Sequence, residues 1–387
     1  MLKVQKFLKS RSLEDLRQDP FNLHISAKDD LILLKYNQFN SDFGQGLVKE
    51  CRGIILEKGT WKIVCHPFHK FFNLGEVHAF NINLTDSYIF EKADGSIIKV
   101  YHYNNEWHVA TNGTIDAGDA FNNDGISFKT LFFDVISEDD FKVLTENFDT
   151  ENTYLFELIH PATQIVVDYE NRKELVFLGM IRNEVDEKGN VIDYDILKIR
   201  KKMEKIFKEL PIRYPRVFDL DNVDDINKLS DIADKENANG NDFEGFVVSQ
   251  IQDDNIIGRV KIKSPKYVNL HHVATGDGVT NNLIDVLMKN EMEEFEVYLA
   301  KLPTAVADEY KTLKKKYFEL IEYLSEEGAK YREKATEMTR KELAMDIQGY
   351  VKKDCTGFIF KMVDKPEVTP VELLKLFGLK KVKSLLT

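Results

Sequence analysis

The chain carries a lysine that an apolar strand, Ser87–Phe90, delivers into a glycine-containing turn, Glu91-Lys92-Ala93-Asp94-Gly95-Ser96. Lysine attacks an electrophile only as the free amine, and its ordinary pKa is about 10.4. Bringing that value to about 7.5 costs roughly 4 kcal/mol, at about 1.36 kcal/mol per unit, so other cations must stand close. Alone, the K-x-D-G tetrapeptide reads as a β-turn with a solvated lysine. Its companions change that balance. Phe156-Glu157-Leu158 sets a carboxylate in an otherwise apolar strand, and Phe243-Glu244-Gly245-Phe246-Val247-Val248 does so again. Val260-Lys261-Ile262-Lys263 puts two lysines on one strand face by period-two alternation. Like charges on a buried face are costly unless something anionic sits between them. Each motif by itself reads as an exposed or ion-paired residue. Together, in this order, they point to an amine kept reactive beside an anionic substrate.

These residues need strands to hold them. Gly53–Glu57 and Trp61–Val64 flank a Lys58-Gly59-Thr60 turn, and Ser96–Tyr103 and Glu106–Ala110 flank Asn104-Asn105; both read as hairpins. Leu175–Ile181 and Val191–Tyr194 flank a turn at Lys188-Gly189-Asn190, and Tyr154–Ile159 and Gln164–Tyr169 are further strands. Lys198–Leu210 has helical spacing and stops before Pro211. Hairpin-joined strands predict an α+β domain of mainly antiparallel sheets with flanking helices over residues 1–272. Beyond it, Leu313, Tyr317, Leu320, Ile321 and Leu324 recur at helical spacing, with Leu283, Val286 and Leu287 before and Leu373, Leu374 and Phe377 after. Residues 273–387 therefore read as an all-helical domain, with Gly276-Asp277-Gly278 as the linker.

Composition excludes several classes. With 43% hydrophobic and 30% charged residues, the 387-residue chain is neither disordered nor collagen-like. No stretch approaches the roughly 18 apolar residues of a membrane span, and the start resembles no secretory signal. Three cysteines make no disulfide framework, so a reducing cytoplasm is expected. The net charge of −12 argues against a chain-wide polyanion footprint, so any such grip uses placed clusters. The basic C-terminal run Lys375, Lys380, Lys381 and Lys383 is one candidate; Lys314-Lys315-Lys316 reads as a solvated helix face. Cys65-His66 with His69 lacks a second ligand pair at zinc spacing, unless His271-His272 folds nearby.

Lys92-Ala93-Asp94-Gly95, Glu157, Glu244-Gly245 and Lys261-Ile262-Lys263 resemble, in order, the motifs of covalent nucleotidyltransferases: ATP-dependent DNA and RNA ligases and mRNA capping enzymes. Tyr36-Asn37, Cys51-Arg52-Gly53, Lys70-Phe71-Phe72-Asn73-Leu74, the run from Lys261 to His271, and Ala344-Met345-Asp346-Ile347-Gln348-Gly349 narrow the likeness to the bacteriophage-type RNA ligase 1 family. DNA ligases and capping enzymes usually follow the second lysine motif with a β-barrel, whereas this chain turns helical.

The resemblance implies a nucleotidyltransferase domain and a helical domain for RNA specificity. It implies an ATP-dependent RNA ligase that joins 5′-phosphate and 3′-hydroxyl ends, in the repair of cleaved tRNA, as a cytoplasmic monomer (the host's cytoplasm if phage-encoded). Lys92 is the implied nucleophile, and Lys261 and Lys263 neutralise the α-phosphate and activate it. Tyr36, Arg52, Lys70, Phe72, Asp94, Gly95 and Glu157 serve the nucleotide site, with Phe177 or Leu178 against adenine. Glu244, Glu157 and, in the helical domain, Glu293 are the implied partners of Mg²⁺ or Mn²⁺. Relatives often carry a lysine where Asn112 precedes Gly113, so a phosphate contact is missing or supplied elsewhere. A DNA ligase, another nucleotidyltransferase, or a silent nucleic-acid-binding relative are the alternatives.

Overall fold

A computed structural model describes the chain except residues 39, 123, 164–166, 168, 219–225, 227, 239–242, 265–278, 290–291, 297–303 and 367, and the side chains of 234, 237–238 and 293–294. It divides into two compact units, Met1–Tyr267 and Val268–Thr387. The expected linker at 276–278 and the expected boundary at 272/273 lie outside the described residues, as does most of the expected strand 164–169. No described helix is long and apolar enough to cross a membrane.

Along the first unit run strands β1 (His24–Lys28), β2 (Leu31–Lys35), β3 (Arg52–Glu57), β4 (Ile63–Cys65), β5 (Phe72–Asn73), β6 (Ser87–Glu91), β7 (Ser96–Tyr103), β8 (Glu106–Thr111), β9 (Asn152–Ile159), β10 (Glu174–Val185), β11 (Val191–Asp193), β12 (Ile212–Arg213), β13 (Val217–Phe218), β14 (Gly245–Gln252) and β15 (Asn255–Lys263). They form a four-stranded sheet β1-β2-β3-β4, a six-stranded sheet β11-β10-β9-β7-β8 with β12 beside β10, and a five-stranded sheet β13-β6-β14-β15-β5. Among the described residues, all pairings of these strands are antiparallel except β10 with β12 and β15 with β5. Asn104 and Asn105 both take positive φ, the backbone of a tight two-residue hairpin, and so join β7 to β8.

Period-two alternation gives the six-stranded sheet two different faces. On one, Ile98, Val100, Phe156, Leu158 and Phe177 pack under the helices Phe128–Val135, Glu138–Glu146 and Ile196–Phe207. Asp195 caps the last of these, whose main run ends at Phe207, three residues short of the sequence expectation; Leu210 only closes a following turn. On the other face, Tyr101 and Ala110 meet Leu31, Leu33, Ile55 and Val64 of the four-stranded sheet. In the five-stranded sheet, Phe246, Val248, Val260 and Ile262 pack with Leu229 and Ala233 of the helix Lys228–Ala238. That register leaves Lys261 and Lys263 on the opposite face, across from Val247 and Gly245.

The second unit is helical among the described residues. Its long helix, Thr304–Lys334, buries Tyr310, Leu313, Tyr317, Leu324 and Tyr331 along one stripe. Capping boxes at Thr339–Glu342 and Thr369–Glu372 start two more helices, and Pro370 stands in the first turn of the second.

Candidate active site

Lys92 sits in the short connection by which the chain leaves the five-stranded sheet and enters the six-stranded one. Both sheets fix it. The Lys92 amide donates to the Gly245 carbonyl at 2.8 Å. Two residues on, the Asp94 amide donates to the Tyr169 hydroxyl at 2.9 Å, and Asp94 Oδ2 accepts from the Val167 amide at 2.8 Å. Gly95 then passes so close to β9 that a Cβ there would lie 2.4 Å from the Leu158 carbonyl oxygen. Just before the lysine, buried Glu91 accepts from both Nη atoms of Arg213, at 2.9 and 3.1 Å, and from the Arg216 amide at 3.0 Å. Glu91 is held below the usual carboxylate range chiefly by the Arg213 hydrogen bonds and charge, which outweigh its burial.

The motif residues converge on one carboxylate. Glu244 Oε2 takes the Lys92 ammonium at 2.6 Å and Oε1 takes that of Lys263 at 3.2 Å. The Glu244 side chain is 1% exposed, whereas 22% of Lys92 remains open to a ligand. The nearest charged neighbour of Lys92 is thus an anion, with the second lysine beyond it. That differs from the sequence expectation of cations standing directly around the amine. Lys261 lies on the same strand face as Lys263, two register pairs further along. Glu157, buried on β9, has its pKa pushed up to about 8: burial dominates, opposed by the Lys92 and Arg52 charges and reinforced by those of Glu244 and Asp94.

Three other predicted residues gather at a second point. The Lys70 ammonium lies 5.3 Å from the Tyr36 ring, 5.1 Å from Phe43 and 5.3 Å from Phe72, and donates to Gln38 Oε1 at 3.4 Å. Rings on several sides hold a cation without neutralising it. Arg52 opens β3, with its guanidinium 5.2 Å over the Phe71 ring.

Phe177 does not join the site. It is fully buried among Phe156, Phe207 and Tyr214 on the helix-covered face. Its partner across the ladder is Phe156, while Glu157 faces Val176. A bulge between Phe177 and Gly179 then turns the strand, and Leu178 packs with Ala93, Ile159 and Val176. Leu178, the other expected residue, therefore stands beside the turn of Lys92. Glu293 falls on the helix Met292–Glu296, and its side chain lies outside the described residues.

His66 and His69 bond to each other, Nε2 to Nε2 at 3.2 Å, and His66 Nδ1 bonds the Arg182 carbonyl at 2.9 Å. Burial keeps both neutral, with pKa values down to about 4 and about 3. No group of three or more metal-ligating side chains gathers among the described residues, and His271 and His272 lie outside them.

Sequence reasoning passed over several residues that build this site. Arg213 and Tyr169 come from segments without a motif. Lys99 carried the same signal as Glu157, a charge inside the apolar run Ile97-Ile98-Lys99-Val100. It is fully buried, its Nζ donates to the Gly53 carbonyl at 2.5 Å, and burial lowers its pKa to about 8.

Two lysines and two buried glutamates are thus brought together from two sheets, with Glu244 between Lys92 and Lys263. A family profile described as RNA ligase matches residues 50–267, which span every one of these groups. The chain belongs to that RNA ligase family. It is 29% identical over 325 residues to a "putative bifunctional polynucleotide kinase/RNA ligase" of Autographa californica nuclear polyhedrosis virus, across 79% of this chain and 43% of that protein. The chain thus spans less than half the length of that relative. An RNA ligase of Rhodothermus phage RM378 is 26% identical over 330 residues, across 73% of each. Among solved structures, a "putative ATP-dependent DNA ligase" from Aquifex aeolicus aligns with a TM-score of 0.44 at 17% identity, covering 84% of this chain and 80% of that one.

Proposed function

We propose that this chain is an ATP-dependent RNA ligase that seals 5′-phosphate and 3′-hydroxyl ends through an AMP carried on Lys92. The observation that supports it most directly is the convergence of Lys92 and Lys263 on the two oxygens of Glu244. In the first step the Lys92 ammonium gives up a proton, for which Glu244, 2.6 Å away, is the placed acceptor. The amine forms a bond to the α-phosphorus, the bond from that phosphorus to the bridging oxygen breaks, and pyrophosphate leaves. Lys263, and Lys261 on the same face, neutralise the phosphoryl oxygens. In the second step an RNA 5′-phosphate oxygen attacks the same phosphorus and frees Lys92, giving a 5′–5′ adenylated end. In the third a 3′-hydroxyl attacks the RNA phosphorus, closes the phosphodiester and releases AMP. Positioning and charge neutralisation carry all three steps.

The carboxyl of Glu157 suits a divalent cation that keeps most of its waters: burial raises its pKa, the Glu244 and Asp94 carboxylates act on it, and such an ion would offset their charge. Mg²⁺ or Mn²⁺ held by Glu157, with Glu244 beside it, would supply positive charge at the α-phosphate. Tyr36, Phe72 and Lys70 form one wall of the nucleotide site, and Leu178, not Phe177, is the apolar residue for the base. We assign the helical unit to recognition of cleaved tRNA and the working protein to a cytoplasmic monomer.

The test is covalent labelling with α-³²P ATP, followed by joining assays. Acid-labile label that Lys92→Ala abolishes, chased into 5′-phosphorylated RNA and not into nicked DNA, is the expected result. Label that survives Lys92→Ala, or sealing confined to nicked DNA, overturns the proposal. Faster joining of cleaved anticodon loops than of unstructured strands supports the tRNA assignment; equal rates remove it.

A further inference from the structure

Lys35, the last residue of β2, is the Cα partner of Arg52, the first of β3. Two like charges directly across a ladder are destabilising unless something of opposite sign lies between them. Neither side chain makes an ion pair with a carboxylate among the described residues. A third cation, Lys99, is fully buried next to them and binds the carbonyl of Gly53, the neighbour of Arg52. Burial and the Arg52 charge both disfavour the protonated form of Lys35, and Lys35 and Arg52 add to the same effect on Lys99.

The cluster adjoins the site. Arg52 acts electrostatically on Glu157. Gly53 approaches the Asn112 backbone so closely that a Cβ would lie 2.3 Å from its carbonyl oxygen. The Lys35 ammonium stands 3.5 Å from the point where Gly113 would carry a Cβ. Asn112 Oδ1 is buried without a hydrogen-bond partner. Lys35 thus reaches the glycine that follows Asn112 from a different strand.

We infer that Lys35, paired across the ladder with Arg52, is a binding residue for the pyrophosphate end of ATP and takes the place of the basic side chain missing at Asn112, with Lys99 as the positioning residue behind them. This rests on the ligase reading above. Two cations set opposite each other make a fork for a doubly charged group, and phosphate oxygens between them relieve their mutual repulsion. The group bound is the one displaced when Lys92 attacks, so Lys35 acts on the adenylylation step and its reversal by pyrophosphate, and not on later sealing.

Lys35→Met tests this, because it keeps most of the aliphatic stem and removes the charge. Expected are a rise of about tenfold or more in the ATP KM for self-adenylylation and a similar slowing of pyrophosphate-driven AMP release. Sealing of chemically pre-adenylated RNA is expected to stay at the wild-type rate, and the melting temperature of the ligand-free protein to stay equal or rise. Adding Asn112→Lys to Lys35→Met is expected to restore the ATP KM, which a merely structural role would not allow. An unchanged ATP KM, a defect confined to the RNA steps, or a lower melting temperature with equal loss at every step overturns the inference. If the wild-type protein forms no AMP adduct at Lys92, the ligase reading itself has failed.

Discussion

Substituting Gly95 by alanine tests how tightly the nucleophile turn is set against the six-stranded sheet. The new methyl would lie 2.4 Å from the Leu158 carbonyl oxygen and 3.0 Å from Glu157 Cγ. An ordinary carbon–oxygen contact needs about 3.4 Å, so turn and strand must part by roughly 1 Å. Strand β9 cannot easily yield, because β7 and β10 pair with it on both sides, opposite Leu158 itself. The turn moves instead, and Lys92 stands three residues before the methyl. A misplacement of about 1 Å costs roughly 10²-fold in rate, or about 2.7 kcal/mol on the barrier. Overpacking costs a further 1–3 kcal/mol or so of folding stability. The assay is single-turnover formation of the ³²P-AMP adduct, with thermal melting by circular dichroism to establish that the variant is folded. Gly59→Ala is the control: its φ of +83° is strained for alanine, but no atom lies within 4 Å of the new methyl. It should lose about 1–2 kcal/mol of stability and keep its adenylylation rate. A folded Gly95→Ala protein within threefold of the wild-type rate would refute the argument that this close approach positions the nucleophile.

Further outcomes follow from the same geometry. Glu244→Gln removes the charge that two ammonium groups share and should lower adenylylation about 10²–10⁴-fold, read in the same labelling assay. Arg213→Met strips Glu91 of its bidentate partner; the loss of about 3–5 kcal/mol for a broken buried pair should appear in urea denaturation, and a loss under about 1 kcal/mol would mean Arg216 suffices. Burial lowers the Lys99 pKa to about 8, from 10.5 for an exposed lysine. Between those values the unfolded chain holds the extra proton, so stability should rise with pH, by up to about 3 kcal/mol at about 1.36 per unit. Lys99→Met should flatten that rise in denaturation curves taken at pH 7.5, 9 and 10, and a rise that persists would assign it to another group.

What the sequence revealed follows what local pattern encodes. Period-two alternation placed Lys261 and Lys263 on one face because Ile262 and Val260 must be buried, and the fold keeps that assignment. Asn104-Asn105 and the helical stripe through Tyr317 were legible for the same reason: a turn or an amphipathic stripe is decided within a few residues. Phe177 misled because the register pairs Glu157 with Val176, which puts Phe177 on the opposite face, and register across a ladder leaves little trace in composition. The pairings that shape the electrostatics were not legible at all. Glu91 with Arg213, and Lys35 opposite Arg52, join residues far apart in the chain through sheet register, which alternation alone does not specify.

The two-oxygen sharing of Glu244 bears on how long a charged intermediate can wait. If Lys92 is consumed in a bond to phosphorus as proposed, and Glu244 passes on the proton it accepted, a carboxylate with a single partner would be stranded in an apolar interior, at a cost of several kcal/mol. Here the second ammonium stays behind. On the proposed mechanism, Glu244 keeps this counter-charge while Lys92 carries AMP, so the loaded protein has little electrostatic incentive to discharge before a broken strand arrives.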